Sequence, residues 1–246
     1  MSIDDPDQLK HLKAAGRVVA EAIRAMRAAV APGVTTGELD EIGGRVFRRA
    51  GARSGPQLDY DFPGVNCISV NDEAVHGIPG KRRLRRGDLV KLDVTAELVG
   101  FYADACVSVG VGPSRPSGLA LVAAARQGLN DALRVTRAGN PLSCIGAAVE
   151  HAVSDHGYGV CRDLTGHGIG RRIHEPPTVH NYHEPSDTEL LTDGLVLTIE
   201  PIISAGSGKV ALAGDGWTVL TADGALSAHV EHTVVVSAGA PLILTA

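Results

Sequence analysis

Aromatic side chains are scarce in this chain of 246 residues: one Trp, four Tyr and three Phe, 3% of the total. Ala, Val, Leu and Ile must therefore build the core, and each ring is a candidate for a specific duty. There are only four cysteines, Cys67, Cys106, Cys144 and Cys161, with no CxxC pair, which excludes a zinc knuckle and a thioredoxin-type motif. Four reduced thiols in a cytoplasmic protein are the expectation. An excess of positive charge is also missing. With 23 basic and 28 acidic residues the formal charge is −5, so the chain lacks the overall electrostatic footprint of a DNA-binding protein. No apolar run approaches the roughly 20 residues of a membrane helix. The first residues, Met1-Ser-Ile-Asp-Asp, are acidic where a secretory leader is basic. Low-complexity segments, long linkers and short repeats are absent. The apolar share of 44% and the charged share of 21% are those of a globular protein, and one domain over 1–246 is expected.

Apolar residues Leu9, Leu12, Val19, Ile23, Met26 and Val30 recur at helical spacing and predict a helix over about 7–30, closed by Pro32-Gly33. Thr35 and Glu38 have the spacing of a capping box, and a second helix runs from there to Gly51. Further helices are expected over 118–138 and 142–156. Segments 66–70, 88–96, 101–110, 194–203, 217–220 and 229–237 read as strands. One echo links the two halves. Gly87-Asp-Leu-Val-Lys-Leu-Asp93 and Gly194-Leu-Val-Leu-Thr-Ile-Glu200 each end an apolar strand on a carboxylate. Two helices then strands, repeated once, suggest an α+β fold of two related halves whose carboxylates meet at a pseudo-twofold axis.

The chemistry concentrates in a few segments. A hairpin centred on Leu98-Val99 would set Asp93 directly opposite Asp104, their Cβ atoms about 4.5–5.5 Å apart. Two such carboxylates repel unless a proton or cations lie between them. His167 sits in Gly166-His-Gly-Ile-Gly170, where the missing side chains of its neighbours would let its ring approach a partner closely. His174 follows in His-Glu-Pro-Pro, a pattern distinct from the HExxH of zincins. Glu200 ends an apolar strand before Pro201, and Glu231 lies in an otherwise apolar one. Each segment alone has a plain structural reading, as a glycine-rich loop or an ion-paired carboxylate. Together they supply four carboxylates with one or two histidines, a donor set that suits paired divalent ions such as Mn, Fe, Co or Zn.

Asp93, Asp104, His167, Glu200 and Glu231, within Lys-Leu-Asp-Val-Thr, Tyr-Ala-Asp-Ala, Gly-His-Gly-Ile-Gly, Thr-Ile-Glu-Pro and Val-Glu-His-Thr, resemble in order the five metal ligands of the methionine aminopeptidases. The resemblance spans nearly the whole chain and implies the pita-bread fold shared with prolidases, an antiparallel sheet core of pseudo-twofold symmetry flanked by helices. The spacing leaves no room for the late helical insertion of type II enzymes, and so implies a bacterial-style type I enzyme acting as a monomer on the N-termini of nascent proteins. It also implies roles. Asp104 and Glu231 would bridge two divalent ions (Co, Mn, Fe or Zn), Asp93 would bind one ion, and His167 and Glu200 would complete the shell of the other. Glu200 would act as general base, His174 would hydrogen-bond the scissile carbonyl, and His76 would assist the leaving amide. Tyr60, Phe62, Cys67 and Trp217 would line the methionine pocket. Three departures from the family pattern concern that pocket: a shortened segment 59–63, Ile173 in place of an aromatic residue, and His229 in place of Gln. The alternative readings are a prolidase-like or broader aminopeptidase and, third, a non-catalytic pita-bread binding protein, which the retention of all five ligands disfavours. The basic run Lys81–Arg86 would be either a solvated loop or a contact to ribosomal RNA.

Overall fold

The computed structural model describes residues 1–246. The first half opens with α1 (Pro6–Ala29), capped by the Asp5 carboxylate, which accepts the Asp7 N–H. α2 (Thr36–Ala50) starts at the expected Thr35–Glu38 capping box and stops at Gly51. Then follow β1 (Arg53–Ser54), the short α3 (Gly55–Tyr60), β2 (Cys67–Val70), β3 (Glu73–Val75), β4 (Leu89–Leu98) and β5 (Phe101–Gly110). β4 is the spine of this half: β1 and β2 pair with it along one edge and β5 along the other, all antiparallel. The second half repeats the plan with α4 (Pro116–Val135) and α5 (Ser143–Asp155), followed by short strands. These are β6 (Gly159–Val160), β7 (Gly166–Gly168), β8 (Glu175–Val179), β9 (Val196–Ile199), β10 (Ile202–Ser204), β11 (Val210–Leu212), β12 (Val219–Thr221), β13 (Ser227–His229), β14 (His232–Val235) and β15 (Leu242–Ile243).

Period-two alternation decides what each half does with its two faces. On β4, Val90, Leu92, Val94 and Ala96 pack under α1 and α2, which leaves Lys91, Asp93 and Thr95 on the other face. On β9, Leu197 and Ile199 pack under α4 and α5, which leaves Thr198 and then Glu200 facing away from the helices. The result is two helix-on-sheet cores of nearly equal size, 20 and 19 buried residues, as expected of two related halves. Their polar faces meet at a seam. Asp104 donates its N–H to Thr233 Oγ1 at 2.8 Å and accepts that hydroxyl on its carbonyl at 2.7 Å. Cys106 O accepts the Glu231 N–H at 3.0 Å. Ser108 Oγ accepts the His229 N–H at 3.0 Å and donates to its carbonyl at 2.8 Å.

The hairpin register differs from the expectation. β4 and β5 are joined by Val99-Gly100, both at positive φ, 52° and 79°. Leu98 therefore pairs with Phe101, Asp93 with Cys106, and Thr95 with Asp104. A two-residue turn needs positive φ at both central positions to match the twist of the strands, and Gly100 meets the second of them freely. The displacement is two residues, so Asp93 and Asp104 keep a common face as diagonal rather than direct neighbours.

The expected strands over 194–203 and 229–237 are each interrupted, at Glu200-Pro201 and Val230-Glu231. Pro201 has no N–H to give a ladder. At the second break the Val230 N–H turns to Pro201 O (3.3 Å) and the Glu231 N–H turns to β5. Both glutamates thus sit where the chain leaves one ladder for another.

Candidate metal centre

All eleven residues singled out from the sequence line one cavity of about 640 Å³: Tyr60, Phe62, Cys67, His76, Asp93, Asp104, His167, His174, Glu200, Trp217 and Glu231. β4 supplies Asp93, β5 supplies Asp104, β7 supplies His167, and the two strand breaks supply Glu200 and Glu231. Asp104, Glu200, Glu231 and His167 are buried, while Asp93 is half-buried. Thr95 Oγ1 donates to Asp104 Oδ2 and Thr198 Oγ1 to Glu200 Oε1, each at 2.7 Å. His167 Nδ1 lies 2.9 Å from the Gly168 carbonyl. A carbonyl only accepts, so Nδ1 carries the ring proton and leaves the Nε2 lone pair, 3.4 Å from Glu200 Oε1, turned into the site.

No lysine or arginine lines the cavity, so four enclosed carboxylates face one another without a cationic side chain. Burial raises their pKa values, and for Asp93, Asp104 and Glu231 repulsion by neighbouring acids adds to it. Asp93 and Glu231 go well above the carboxylate range, Asp104 to about 6, and Glu200 upward. Burial also lowers His167 and takes His229 down to about 3, which keeps both rings neutral. Asp104 Oδ1 and Glu231 Oε1 are buried without a hydrogen-bond partner. Donor atoms of Asp104, His167 and Glu231, and of Glu200, His229 and Glu231, lie within 4.8 Å of one another. Oxygen-rich, uncompensated and short of hydrogen-bond donors, this set fits divalent cations.

Around it, His174 packs edge-on against His167 with ring centroids 4.2 Å apart, and its Nδ1 lies 2.6 Å from the Tyr60 hydroxyl. Tyr60 is exposed at the cavity mouth, whereas Phe62 is buried with its ring edge-on to Trp217 at 5.3 Å. His76 adopts positive φ (56°), which presents its ring to the cavity. Ile173 is buried among Phe101, Tyr102 and Ile169. The shortened 59–63 segment forms the end of α3, which stops at Asp61 in the left-handed region (φ 58°).

The glycines beside His167 have a different reason from the one expected. His167 belongs to a strand, not a loop, held between β8 and β9. A Cβ on Gly166 would lie 2.7 Å from Thr198 O, and one on Gly168 would run into the Pro176 carbonyl. Neighbouring backbone, rather than the histidine ring, excludes side chains there. Gly168→Ala should therefore cost about 3 kcal/mol by overpacking, read as a thermal midpoint lowered by about 6–12 °C. Gly80→Ala, with nothing within 4 Å of the added carbon, should leave the midpoint in place.

Several site residues escaped the sequence reading. Thr95 and Thr198 orient carboxylates, and their signal was the two-residue offset that puts Thr198 on the face of Glu200. Asp59 accepts the Tyr102 hydroxyl (2.8 Å) and the Ile173 N–H (3.2 Å), and nothing local marks it. His229 shares the two-residue offset from Glu231, a signal beyond its departure from the family pattern.

A sheet-borne cluster of acids and a histidine between two related halves is the donor set of a divalent-metal enzyme. The chain belongs to metallopeptidase family M24, whose profile matches residues 10–238. It is 42% identical to methionine aminopeptidase 2 of Bacillus subtilis over 100% of this chain and 99% of that one. The crystal structure of methionine aminopeptidase from Thermotoga maritima superposes with a TM-score of 0.96 at 35% identity, covering 100% of this chain and 99% of that one. Prolidase from Pyrococcus furiosus shares the fold, with a TM-score of 0.81 at 21% identity over 99% of this chain and 65% of that one. No helix is long and apolar enough to cross a membrane.

Proposed function

We propose that this protein, acting as one catalytic unit and as a cytoplasmic monomer, removes the N-terminal methionine from peptides and nascent chains whose second residue is small. The observation that carries the reading is the cluster of buried, partly unpartnered carboxylate oxygens in a cavity without Lys or Arg, in a chain similar throughout its length to methionine aminopeptidases. Asp93, Asp104, His167, Glu200 and Glu231 would hold two divalent ions of the Mn, Co, Fe or Zn group. Such ions lower the pKa of water and polarise the scissile carbonyl.

The side chains do the rest. Glu200, its Oε1 steadied by Thr198, takes the proton of the attacking water. The Tyr60 hydroxyl can donate to His174 Nδ1; that arrangement puts the ring proton on Nε2, the tautomer that would donate to the scissile carbonyl oxygen as negative charge develops there. His76, which lines the same cavity, would assist the leaving amide. Phe62, Trp217 and Cys67 form the apolar pocket for the methionine thioether. His174→Ala should lower kcat by about 10²–10³ with little change in KM. Tyr60→Phe, which loses only the positioning of that ring, should lower kcat about tenfold and shift the acid limb of the pH–rate profile. Steady-state rates between pH 5 and 9 check both, and a Tyr60→Phe profile that overlays the parent removes Tyr60 from this role.

The deciding experiment supplies purified protein separately with Mn, Co, Fe and Zn and follows release of Met from Met-Ala-Ser beside release of Xaa from Xaa-Pro peptides. Met release supports the reading. Cleavage only before Pro moves the assignment to a prolidase-like enzyme. In the basic run, Leu84 is buried, Arg82 pairs with Glu73, and Arg83 donates to Gly33 O at 2.7 Å. Lys81, Arg85 and Arg86 remain for a contact to ribosomal RNA. Their joint replacement by Ala should abolish co-sedimentation with ribosomes, and unchanged co-sedimentation would dismiss that contact.

A further inference from the structure

His229 lines the cavity, and the reaction above leaves it without a task. It is 2% exposed, and neither ring nitrogen has a hydrogen-bond partner. A buried polar group left unpaired costs about 1–3 kcal/mol, so the ring calls for a partner. Its position comes from the sheet. β13 pairs with β10, setting His229 opposite Ile202, and Ser108 clamps its backbone N–H and C=O from β5. The ring is thereby aimed at the two strand breaks, with Nε2 at 3.5 Å from Glu200 Oε2 and 3.6 Å from Glu231 Oε2.

Those distances exceed a good hydrogen bond. They are close to the separation of about 3.3–3.4 Å that follows between donors sharing one ion tetrahedrally with bonds of about 2.0–2.1 Å. Carrying the ring proton on Nδ1 leaves the Nε2 lone pair free for such an ion.

We propose that His229 Nε2 is a sixth protein ligand of the centre, bound to the ion held between Glu200 and Glu231. The inference rests on the reading of this cavity as a metal centre. It makes the site one of two histidines and four carboxylates. A second imidazole favours borderline ions such as Zn and Co over the harder Mn.

The test counts histidine ligands directly. Metal-free protein carrying 15N-histidine is loaded with two equivalents of Co(II), and its paramagnetically shifted, nitrogen-coupled imidazole N–H proton signals are counted by NMR. Two signals in the parent, one of them lost in His229→Gln, are the expected result. Calorimetric titration of the same proteins should show Zn(II) binding weakened by about 10–100-fold in the variant, with Mn(II) binding changed less than threefold. A single signal in the parent, with the metal bound, overturns the inference and leaves the metal centre intact. A parent that binds no Co(II), Zn(II) or Mn(II) overturns the metal centre itself. The count in the parent decides the matter even where the variant fails to fold.

Discussion

Glu200→Gln is expected to lower kcat/KM for release of Met from Met-Ala-Ser by at least about 10³-fold. The substitution keeps the shape of the side chain and its hydrogen bond to Thr198 Oγ1 but removes the basic oxygen. General-base catalysis contributes about 10²–10⁴. Glu200 is also placed among the metal ligands, with His167 Nε2 at 3.4 Å and His229 Nε2 at 3.5 Å, so part of the loss should appear as weaker metal binding. Metal content and initial rates must be measured on the same sample. A variant that retains its ions and still loses three decades places the loss on proton transfer. A rate within tenfold of the parent would remove Glu200 from the mechanism.

Stripping the metal should destabilise the protein, increasingly as pH rises. An ion present at about 1,000 times its Kd stabilises by about 4 kcal/mol, about 8–16 °C in thermal midpoint for a chain of this size. The pH dependence follows from the four acids. Their folded pKa values are raised by burial, Asp104 to about 6 and Asp93 and Glu231 well above the carboxylate range. Unfolded carboxyls lose their protons near pH 4, so above that the metal-free folded state holds more protons than the unfolded one. Stability then falls with rising pH. Buried His167 and His229, with lowered pKa values, act in the opposite sense: they cost stability below about pH 6.5, where unfolded histidine is protonated, and nothing above it. From pH 6.5 to 8 the raised carboxylates are opposed by buried Lys91, whose pKa burial lowers to about 7; the several carboxylates outweigh the one lysine, and the midpoint of chelator-treated protein should decline. Metal-loaded protein, whose ions have displaced those protons, should show no such decline over the same range. Scanning calorimetry of both forms at pH 6.5, 7.2 and 8.0 checks this; parallel curves would show that the carboxylates are not held protonated.

Much of this protein is local in origin, and the local part is legible in the chain. The capping box at Thr35–Glu38, the apolar spacing of α1 and the alternation along β4 are written over spans of a few residues. Each such span is settled by its own hydrogen bonds and buried face. The duplicated carboxylate-ended strands at Asp93 and Glu200 follow the same logic, which makes these two acids legible in the chain as candidate metal donors. Long-range matters stayed hidden. The β4–β5 register depended on which two residues could share positive φ. The breaks after Ile199 and His229 depended on where backbone N–H groups could find carbonyls across the seam, Pro201 O and Cys106 O. Gly168 is small because of a carbonyl eight residues further along the chain.

The sequence by itself determined which acids and histidines are candidates for the chemistry and, for Asp93 and Asp104, that they share a face, because a period of two ties face to position. Only the tertiary structure decided how far apart the donors stand, that no Lys or Arg side chain lines their cavity, and that His229 is aimed at Glu200 and Glu231. Those outcomes depend on how two half-sheets dock through Ser108, Cys106 and Thr233, contacts between residues more than a hundred positions apart, on which no local pattern can report.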